Sequence, residues 1–326
     1  MSDLPSIRQL EYFVAVARTG NIGRAARELE VTQPAVSRQL QELEDGLGVL
    51  LFERTPRGMR LTSSGEHVLA RAQAVLRDAR ELVAAASVYS EETKGTLKIG
   101  AIPTAAPYLL DGLFTRLRER HPGLRFELAE LQTETLMQRI DEGVIDVGLL
   151  ALPLDHDNLM VEPVLREPFV FVAESEHPLL ERTPVFSEML RDMDLLLLED
   201  GHCFRDQALD LCLDAGARAD MTIAAASIGT LVRLVEAGLG STLLPLSSVA
   251  RELRGSEALG WSAFASPAPG RVMGFCWRPS SPRHGLMREL SEMMREHVAT
   301  LQRSVPKPRH GETPSFEIVR TPAPGS

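Results

Sequence analysis

The chain has 326 residues, 44% of them hydrophobic and 25% charged, which allows two or three domains with a sizeable core and excludes global disorder. The net charge of −10 excludes a protein that coats nucleic acid through bulk charge, but residues 1–62 carry eight arginines against eight acidic side chains, so the deficit lies downstream. No apolar run approaches the roughly 20 residues that cross a bilayer, and the first residues lack the basic-then-apolar layout of a signal peptide, so a cytoplasmic, non-membrane protein is expected. Three cysteines, Cys203, Cys212 and Cys276, do not make a structural disulfide framework, and they show no close paired spacing with histidines that would hold a metal.

Apolar positions at Ile7, Leu10, Phe13, Val14 and Ala17 predict a first helix. A short helix through Leu29, a turn at Glu30 and Val31, and a second helix with Thr32 as N-cap and Pro34 in its first turn follow. Val36, Leu40, Leu43 and Leu47 mark the inward face of that helix, which leaves Gln33, Pro34, Ser37, Arg38 and Gln41 facing out near its start. This is the surface that a helix-turn-helix offers to the major groove, and glutamine, serine and arginine suit base edges and phosphates. Residues 51–62 read as a turn between two short strands, with Arg54, Arg57 and Arg60 placed to lie along phosphates as a wing. The spacing alone also fits a generic helical hairpin with a solvated basic loop.

Beyond the wing, Ser63-Ser64-Gly65-Glu66 has a capping-box pattern, with Thr62 as a competing N-cap. Val68, Ala72, Val75, Ala79, Leu82 and Ala86 then form a heptad seam about 30 Å long. Glu91 to Gly95 ends the helix and reads as a hinge. From Thr96 the pattern changes to strands at 96–103, 124–131, 145–151 and 169–173 alternating with helices at 109–121 and 134–142. Strands at 195–198, 221–225, 241–244 and 272–277 and a final helix at 284–302 complete two α/β lobes. The proline-rich segment 304–326 lacks a sustained period and is expected to be disordered.

Cys203 and Cys212 sit in a strand-to-helix turn and on the helix that follows. Cys203 neighbours Gly201, His202, Phe204, Arg205 and Asp206; a helix N-terminus and an arginine favour a reactive thiolate, and Asp206 opposes this unless it pairs with Arg205. Cys212 shares a face with Leu209 and Leu213 and reads as buried. On one helix the two Cα atoms would lie about 13 Å apart at roughly 1.5 Å per residue. A disulfide requires about 7 Å or less, so joining them demands local refolding. Read as residues alone, the pair is either redox-active or two small buried hydrophobes. Cys276, within Met-Gly-Phe-Cys-Trp, reads as core.

The N-terminal motifs Ala-Ala-Arg-Glu-Leu (25–29), Thr-Gln-Pro-Ala-Val-Ser-Arg-Gln-Leu (32–40) and Leu-Phe-Glu-Arg-Thr-Pro-Arg-Gly (51–58) closely resemble the winged helix-turn-helix of LysR-type transcriptional regulators. Gly-His-Cys-Phe-Arg-Asp-Gln-Ala (201–208) followed by Cys212, Ile-Pro-Thr-Ala-Ala-Pro-Tyr-Leu-Leu (102–110), Gln132-Thr133, Gly-Leu-Gly-Ser-Thr-Leu-Leu-Pro (238–245) and Arg278 to Pro282 resemble the peroxide-responsive members of that family. Together the resemblances span nearly residues 5–300.

They imply an α+β multi-domain protein. It would comprise a winged helix-turn-helix at 5–62, a linker and dimerisation helix with hinge at 63–94, and a two-lobed, periplasmic-binding-protein-like effector domain at 95–303, followed by the tail at 304–326. The resemblance further implies a DNA-binding regulator, not an enzyme, without metal or organic cofactor. Its partners would be roughly palindromic double-stranded DNA, RNA polymerase, further copies of itself as homodimer or homotetramer, and a cellular thiol reductant. In such a protein Cys203 reduces hydrogen peroxide and becomes a sulfenic acid, and Cys212 condenses with it to a disulfide. Thr104 and Thr133 fall on the pocket threonines of the family, His202, Arg205 and Asp206 match its pattern around the thiol, and Ser227 falls in the same cleft. Thr32, Gln33, Pro34, Ser37, Arg38, Arg54 and Arg57 are the implied DNA contacts. Gly229 and Val232 depart from the family, which carries polar or charged side chains there. A regulator that binds a small organic acid, and a thiol peroxidase with an appended DNA-binding domain, are the rival readings.

Overall fold

The computed structural model describes residues 4–55, 58–88, 94–154, 156, 158–182 and 184–320. The chain divides into two units, residues 1–87 and 88–326. No helix among the described residues is long and apolar enough to cross a membrane.

In the first unit, α1 (Ile7–Thr19) is opened by a capping box in which Ser6 accepts from Gln9 N–H and the Gln9 side chain accepts from Ser6 N–H. It packs with α2 (Ile22–Glu28) and α3 (Gln33–Leu47), and Ala25 and Ala26, both buried, let the helices approach closely. Strands β1 (Phe52–Thr55) and β2 (Gly58–Leu61) form the hairpin of the wing. The Glu44 carboxylate accepts from the N–H groups of Leu51 and Phe52, and Phe52 meets Phe13 edge-on at 5.4 Å, so the wing is pinned to the helical core. Gly58 has φ +132°, and a Cβ there would stand 2.4 Å from the Gly20 carbonyl oxygen, so no other residue fits this close approach. Leu47 is exposed, not inward, because the helix ends there against Gly48 in the left-handed conformation.

Helix α4 (Ser63–Val88) follows. Thr62, not Ser63, wins the cap: its hydroxyl accepts from Gly65 N–H and donates to the Leu50 carbonyl. The predicted seam also splits. Ala72, with Leu76 from the flanking row, is buried in the core of the first unit, whereas Val75 and Leu82 are 46% and 73% exposed. The side chain of Ala86 and hinge residues 91–93 lie outside the described residues.

The second unit is built on one continuous sheet. Strand β3 (Gly95–Ala101) leads into two short helices, α5 (Ala106–Leu109) and α6 (Leu113–Arg120), where the sequence predicts one helix. Gly112, at φ 76°, breaks it. Then come β4 (Leu124–Glu130), α7 (Thr133–Asp141), β5 (Val147–Leu152) and the long strand β6 (Met160–Glu174). They are followed by β7 (Asp194–Leu198), α8 (Cys203–Ala215), β8 (Arg218–Ala225), α9 (Ile228–Glu236), β9 (Ser241–Pro245), α10 (Leu246–Glu252), β10 (Leu259–Ala263), β11 (Gly270–Trp277) and α11 (His284–Ser304). The order β4-β3-β5-β11-β6 makes a first lobe, and β6-β9-β7-β8 with β10 on β6 makes a second. Strand β6 belongs to both lobes: its first half pairs with β11 and its second half with β9 and β10. The βαβ pairs β3–β4, β3–β5, β7–β8 and β7–β9 are parallel, and the inner strands β5, β7 and β9 are nearly continuous apolar runs, as burial on both faces requires.

The tail departs from its expected disorder as far as Arg320. Glu317–Ile318 forms β12, paired with Arg166 and Leu165 of β6, and Phe316 is buried. Gln302 holds the turn, accepting from Phe316 N–H and donating to the Pro314 carbonyl. One buried aromatic ring supplies the apolar area that the composition alone did not reveal. Residues 321–326 lie outside the described residues.

Candidate functional site

Thr32 occupies the N-cap position of α3 but makes no capping hydrogen bond with its side chain. Gln33, Pro34 and Arg38 are exposed and Ser37 is half-buried, one helical turn from Pro34. Pro34 costs nothing in the first turn, where its missing N–H would have no partner. The face opposite is closed by Val36, Leu40 and Leu43, so these polar residues project from a rigid helix. In the wing, Arg60 pairs with Glu53 across the hairpin at 3.6 Å. Arg57 lies outside the described residues, as does the side chain of Arg54, whose backbone pairs with Met59 in the hairpin.

Cys203 is the first residue of α8, half-buried, and His202 is its N-cap, itself buried and without a side-chain capping bond. Gly201, at φ +92°, turns the chain from β7 into the helix, and a Cβ there would stand 2.6 Å from the Gln132 amide. Gln132 Nε2 also donates to the Asp200 carbonyl at 3.4 Å, so the α7 N-terminus of the first lobe lies against the thiol turn of the second. Arg205 pairs with Asp200 at 2.8 Å and, more distantly, with Asp206 at 3.8 Å, so two carboxylates answer its charge.

Two buried polar atoms near this turn have no hydrogen-bond partner among the described residues: Thr133 Oγ1, on the first residue of α7, and Gln207 Oε1, one turn beyond Cys203. A buried polar atom left unpaired is costly, which marks both as positions for a small polar guest.

Thr104 is held differently. Its hydroxyl accepts from Arg271 Nη1 at 2.8 Å and its carbonyl from Arg271 Nη2 at 2.9 Å. Arg271 Nε donates to Glu167 at 2.9 Å in an ion pair with no exposed side-chain area, and the other Glu167 oxygen accepts from Ser247 N–H at 2.8 Å. The guanidinium also lies 5.7 Å from the centre of the Phe204 ring, and Phe204 packs edge-on to Phe169. One buried arginine thus joins Thr104 in the first lobe to the residue after Cys203 in the second. Sequence reading missed Arg271, Glu167 and Gln207. The first two are 104 residues apart, and only the β6–β11 register, which sets Arg271 opposite Glu167, brings them together.

Ser227 caps α9, accepting from Thr230 N–H, and its hydroxyl meets that of Thr230; the side chain is exposed and committed to the cap. Val232 is fully buried, and Gly229 leaves room for the Glu252 carboxylate, 3.3 Å from where a Cβ would stand.

Cys212 is buried on the core side of α8, and burial pushes its thiol up to about 11. Burial pushes Cys276 up to about 12. Both folded values exceed the ordinary thiol value, so both groups stay neutral at physiological pH and favour the folded state until the pH rises toward those values. In native protein at pH 8, iodoacetamide is expected to modify Cys203 at least tenfold faster than Cys212 or Cys276, as read by mass spectrometry of timed digests. Equal rates would remove the distinction between the thiols.

Residues 7–66 match the family model described as bacterial regulatory helix-turn-helix protein, lysR family, and residues 90–299 match the LysR substrate binding domain. A probable hydrogen peroxide-inducible genes activator of Mycobacterium avium is 41% identical over 297 residues, covering 91% of this chain and 95% of that protein. The full-length OxyR of Pseudomonas aeruginosa, in a cysteine-substituted form, superposes with a TM-score of 0.69 at 33% identity, covering 90% of this chain and 98% of that one. A hydrogen-peroxide-bound cysteine-to-serine mutant of Corynebacterium glutamicum OxyR gives 0.64 at 34% identity, covering 93% and 96%. With both modules matched in order and the likeness running through sensor and reader alike, the chain belongs to the LysR family of transcriptional regulators, in its OxyR group.

Proposed function

We propose that this regulator senses hydrogen peroxide through Cys203 and Cys212 and transmits their redox state to DNA. The observation that carries the reading is the setting of Cys203. It is a half-buried thiol at a helix start between two lobes, near two buried polar atoms without a hydrogen-bond partner among the described residues. The Cys203 sulfur attacks one peroxide oxygen as the O–O bond breaks. The sulfur is oxidised to a sulfenic acid, and the second oxygen leaves as hydroxide and is protonated to water. The Thr133 hydroxyl and the Gln207 amide orient the peroxide, while Thr104, fixed by Arg271, closes the first-lobe wall. His202, Arg205 and Asp206 shape the turn, and Ser227 contributes the cap of α9.

Cys212 then displaces water from the sulfenic acid to form the disulfide. The Cα atoms of residues nine apart on a continuous helix stand about 13 Å from one another, so α8 unwinds to allow this, and Phe204 leaves the face of Arg271. A cellular thiol reductant reverses the change. Two copies pair through the exposed α4 row of Val75 and Leu82, with tetramers as the higher form. The paired α3 helices and wings engage roughly palindromic operator DNA, from where the complex contacts RNA polymerase in the cytoplasm. Thr32, Gln33, Pro34, Ser37 and Arg38 face the major groove, and Arg54 and Arg57 the flanking phosphates.

Two measurements test this. Non-reducing peptide mapping after stoichiometric peroxide is expected to yield one linked peptide pair containing residues 203 and 212, together with an altered operator footprint. A changed footprint without that pair defeats the disulfide switch. For the reader, Arg38→Ala is expected to cost about 1–3 kcal/mol on operator DNA and far less on unrelated DNA, by anisotropy titration at fixed salt. Equal losses on both would reassign Arg38 to the backbone.

A further inference from the structure

The loop between β11 and α11, residues 278–283, carries an arginine at each end, and the two grip different elements. Arg278 is buried, and its Nη1 donates to the carbonyl of Ile140 and, at 3.2 Å, to that of Ile145, which fastens the turn between α7 and β5. Gly143, at φ +69°, lies in that turn, and a Cβ there would stand 3.4 Å from the guanidinium. Arg283 is half-buried; its Nη1 donates to the Thr96 carbonyl at 2.8 Å and its Nη2 to the Lys94 carbonyl at 3.0 Å. These carbonyls flank Gly95, the first residue of β3, whose φ of +88° is one that glycine alone adopts readily. A forked, charged donor thus holds the backbone at the point where the chain enters the sheet of the second unit.

The loop that joins the two arginines is stiff. Trp277 Nε1 donates to His284 Nδ1 at 2.9 Å; an indole N–H can only donate, so Nδ1 accepts and Nε2 carries the proton that it gives to the Pro279 carbonyl at 2.6 Å. Ser281 N–H donates to the Arg278 carbonyl at 3.0 Å, and Pro279 and Pro282 fix two further backbone torsions. Asp146 stitches the end of the α7–β5 turn to β3 directly: its carboxylate accepts from Lys98 N–H at 2.8 Å, and its own N–H donates to the Lys98 carbonyl at 2.9 Å.

The other end of α7 meets the thiol turn, where Gln132 donates to the Asp200 carbonyl, three residues before Cys203. Helix α7 has nine residues, about 14 Å of rigid rod at roughly 1.5 Å per residue. A displacement of the thiol turn therefore bears on one end of that rod, while the loop that holds Gly95 grips the other. A contiguous run of hydrogen-bonded elements of this kind is a physical route by which two sites bias one equilibrium.

We propose that Arg283 is a positioning residue for the output of the sensor: by fixing the carbonyls of Lys94 and Thr96, it makes the entry into β3 follow the α7 turn, so that oxidation of Cys203 changes DNA binding. This role takes its input from the proposed thiol switch but concerns the output alone, so it is read per oxidised Cys203.

The test compares the full-length protein with Arg283→Ala, Arg283→Met and Arg283→Lys at graded peroxide. The oxidised fraction of Cys203, as disulfide or as dimedone-trapped sulfenic acid, is measured beside the operator footprint. The alanine and methionine variants are expected to oxidise at the wild-type rate and, when reduced, to bind operator with wild-type affinity, yet to change footprint at least threefold less per oxidised Cys203. Methionine keeps the aliphatic stem, so it decides the matter where alanine costs the fold. Arg283→Lys keeps the charge without the fork and is expected to recover at least half of the change, a rescue that lost packing alone would not need. A wild-type footprint change in the methionine variant, a lysine variant no better than methionine, or Cys203 oxidation slowed as much as the output would each overturn the role. Failure of the thiol switch is read separately, in the wild type alone, as a footprint that changes while Cys203 stays unoxidised; that result removes the input and this role with it.

Discussion

Replacing Cys203 with serine is expected to abolish the peroxide response: no 203–212 disulfide, no sulfenic acid trapped by dimedone, and an operator footprint fixed in its reduced form at any peroxide concentration. The change is nearly isosteric and sits at a half-exposed helix start, so folding is spared and the loss is chemical. Cys212→Ser separates the two steps. It lacks the resolving thiol, so Cys203 still reacts and sulfenic acid accumulates, detected by dimedone labelling well above the wild-type level. The hydroxyl enters a buried site shared with Phe204 and Ala208, so this variant loses some stability as well. If Cys203→Ser retained a peroxide-dependent footprint, the signal would enter elsewhere.

The second large effect is on the buried ion pair. Glu167→Ala leaves the Arg271 guanidinium without its counter-charge in a site with no solvent access, and deprives Ser247 N–H of its acceptor. Breaking one side of such a pair costs about 3–5 kcal/mol, which urea unfolding at constant m would show as a lowered midpoint. The pair itself is a different matter. Glu167→Leu with Arg271→Met removes both charges and is expected to recover most of that stability, because buried pairs seldom outperform apolar packing. It does not recover the response: Thr104 loses both of its bonds from Arg271, and Phe204 loses the cation it covers. Stability restored with the peroxide response still slowed would separate the positioning role of the pair from its structural one; a fully restored response would deny that role.

Much of this was legible in the chain. Helix α3 announces itself through Thr32 and Pro34 at its start and Val36, Leu40 and Leu43 along one face, because capping and period are local properties. The turn at Gly201 to Cys203 is equally local. The features that escaped are those that only pairing creates. The first half of β6 carries Pro163 and Pro168 with Glu162, Arg166 and Glu167 between and around them, a composition that hides a strand until β11 and β12 lie beside it. Arg271 reads as a surface charge after a glycine until the register sets it opposite Glu167. Gln207 reads as a solvated helix position, yet the fold buries its Oε1. The tail misled because one ring, Phe316, outweighs many prolines once a groove receives it.

The unbroken run of α8 from Cys203 to Ala215 has a temporal consequence. The first oxidation depends on how often peroxide meets the thiol, whereas closure of the disulfide depends on how often the helix opens, a property of the fold alone. At high peroxide the second step therefore becomes a ceiling, and the alarm can be raised no faster than the helix unwinds. Below that ceiling the sulfenic acid is a brief memory that reductants can erase, so passing pulses leave no record. Above it the waiting sulfenic acid is open to a second oxidation to the irreversible sulfinic form, and sensors are lost at a rate that grows with the dose. The stiffness of one helix turn thus decides both how long a stress must last to be noticed and how severe it must be to silence the sensor.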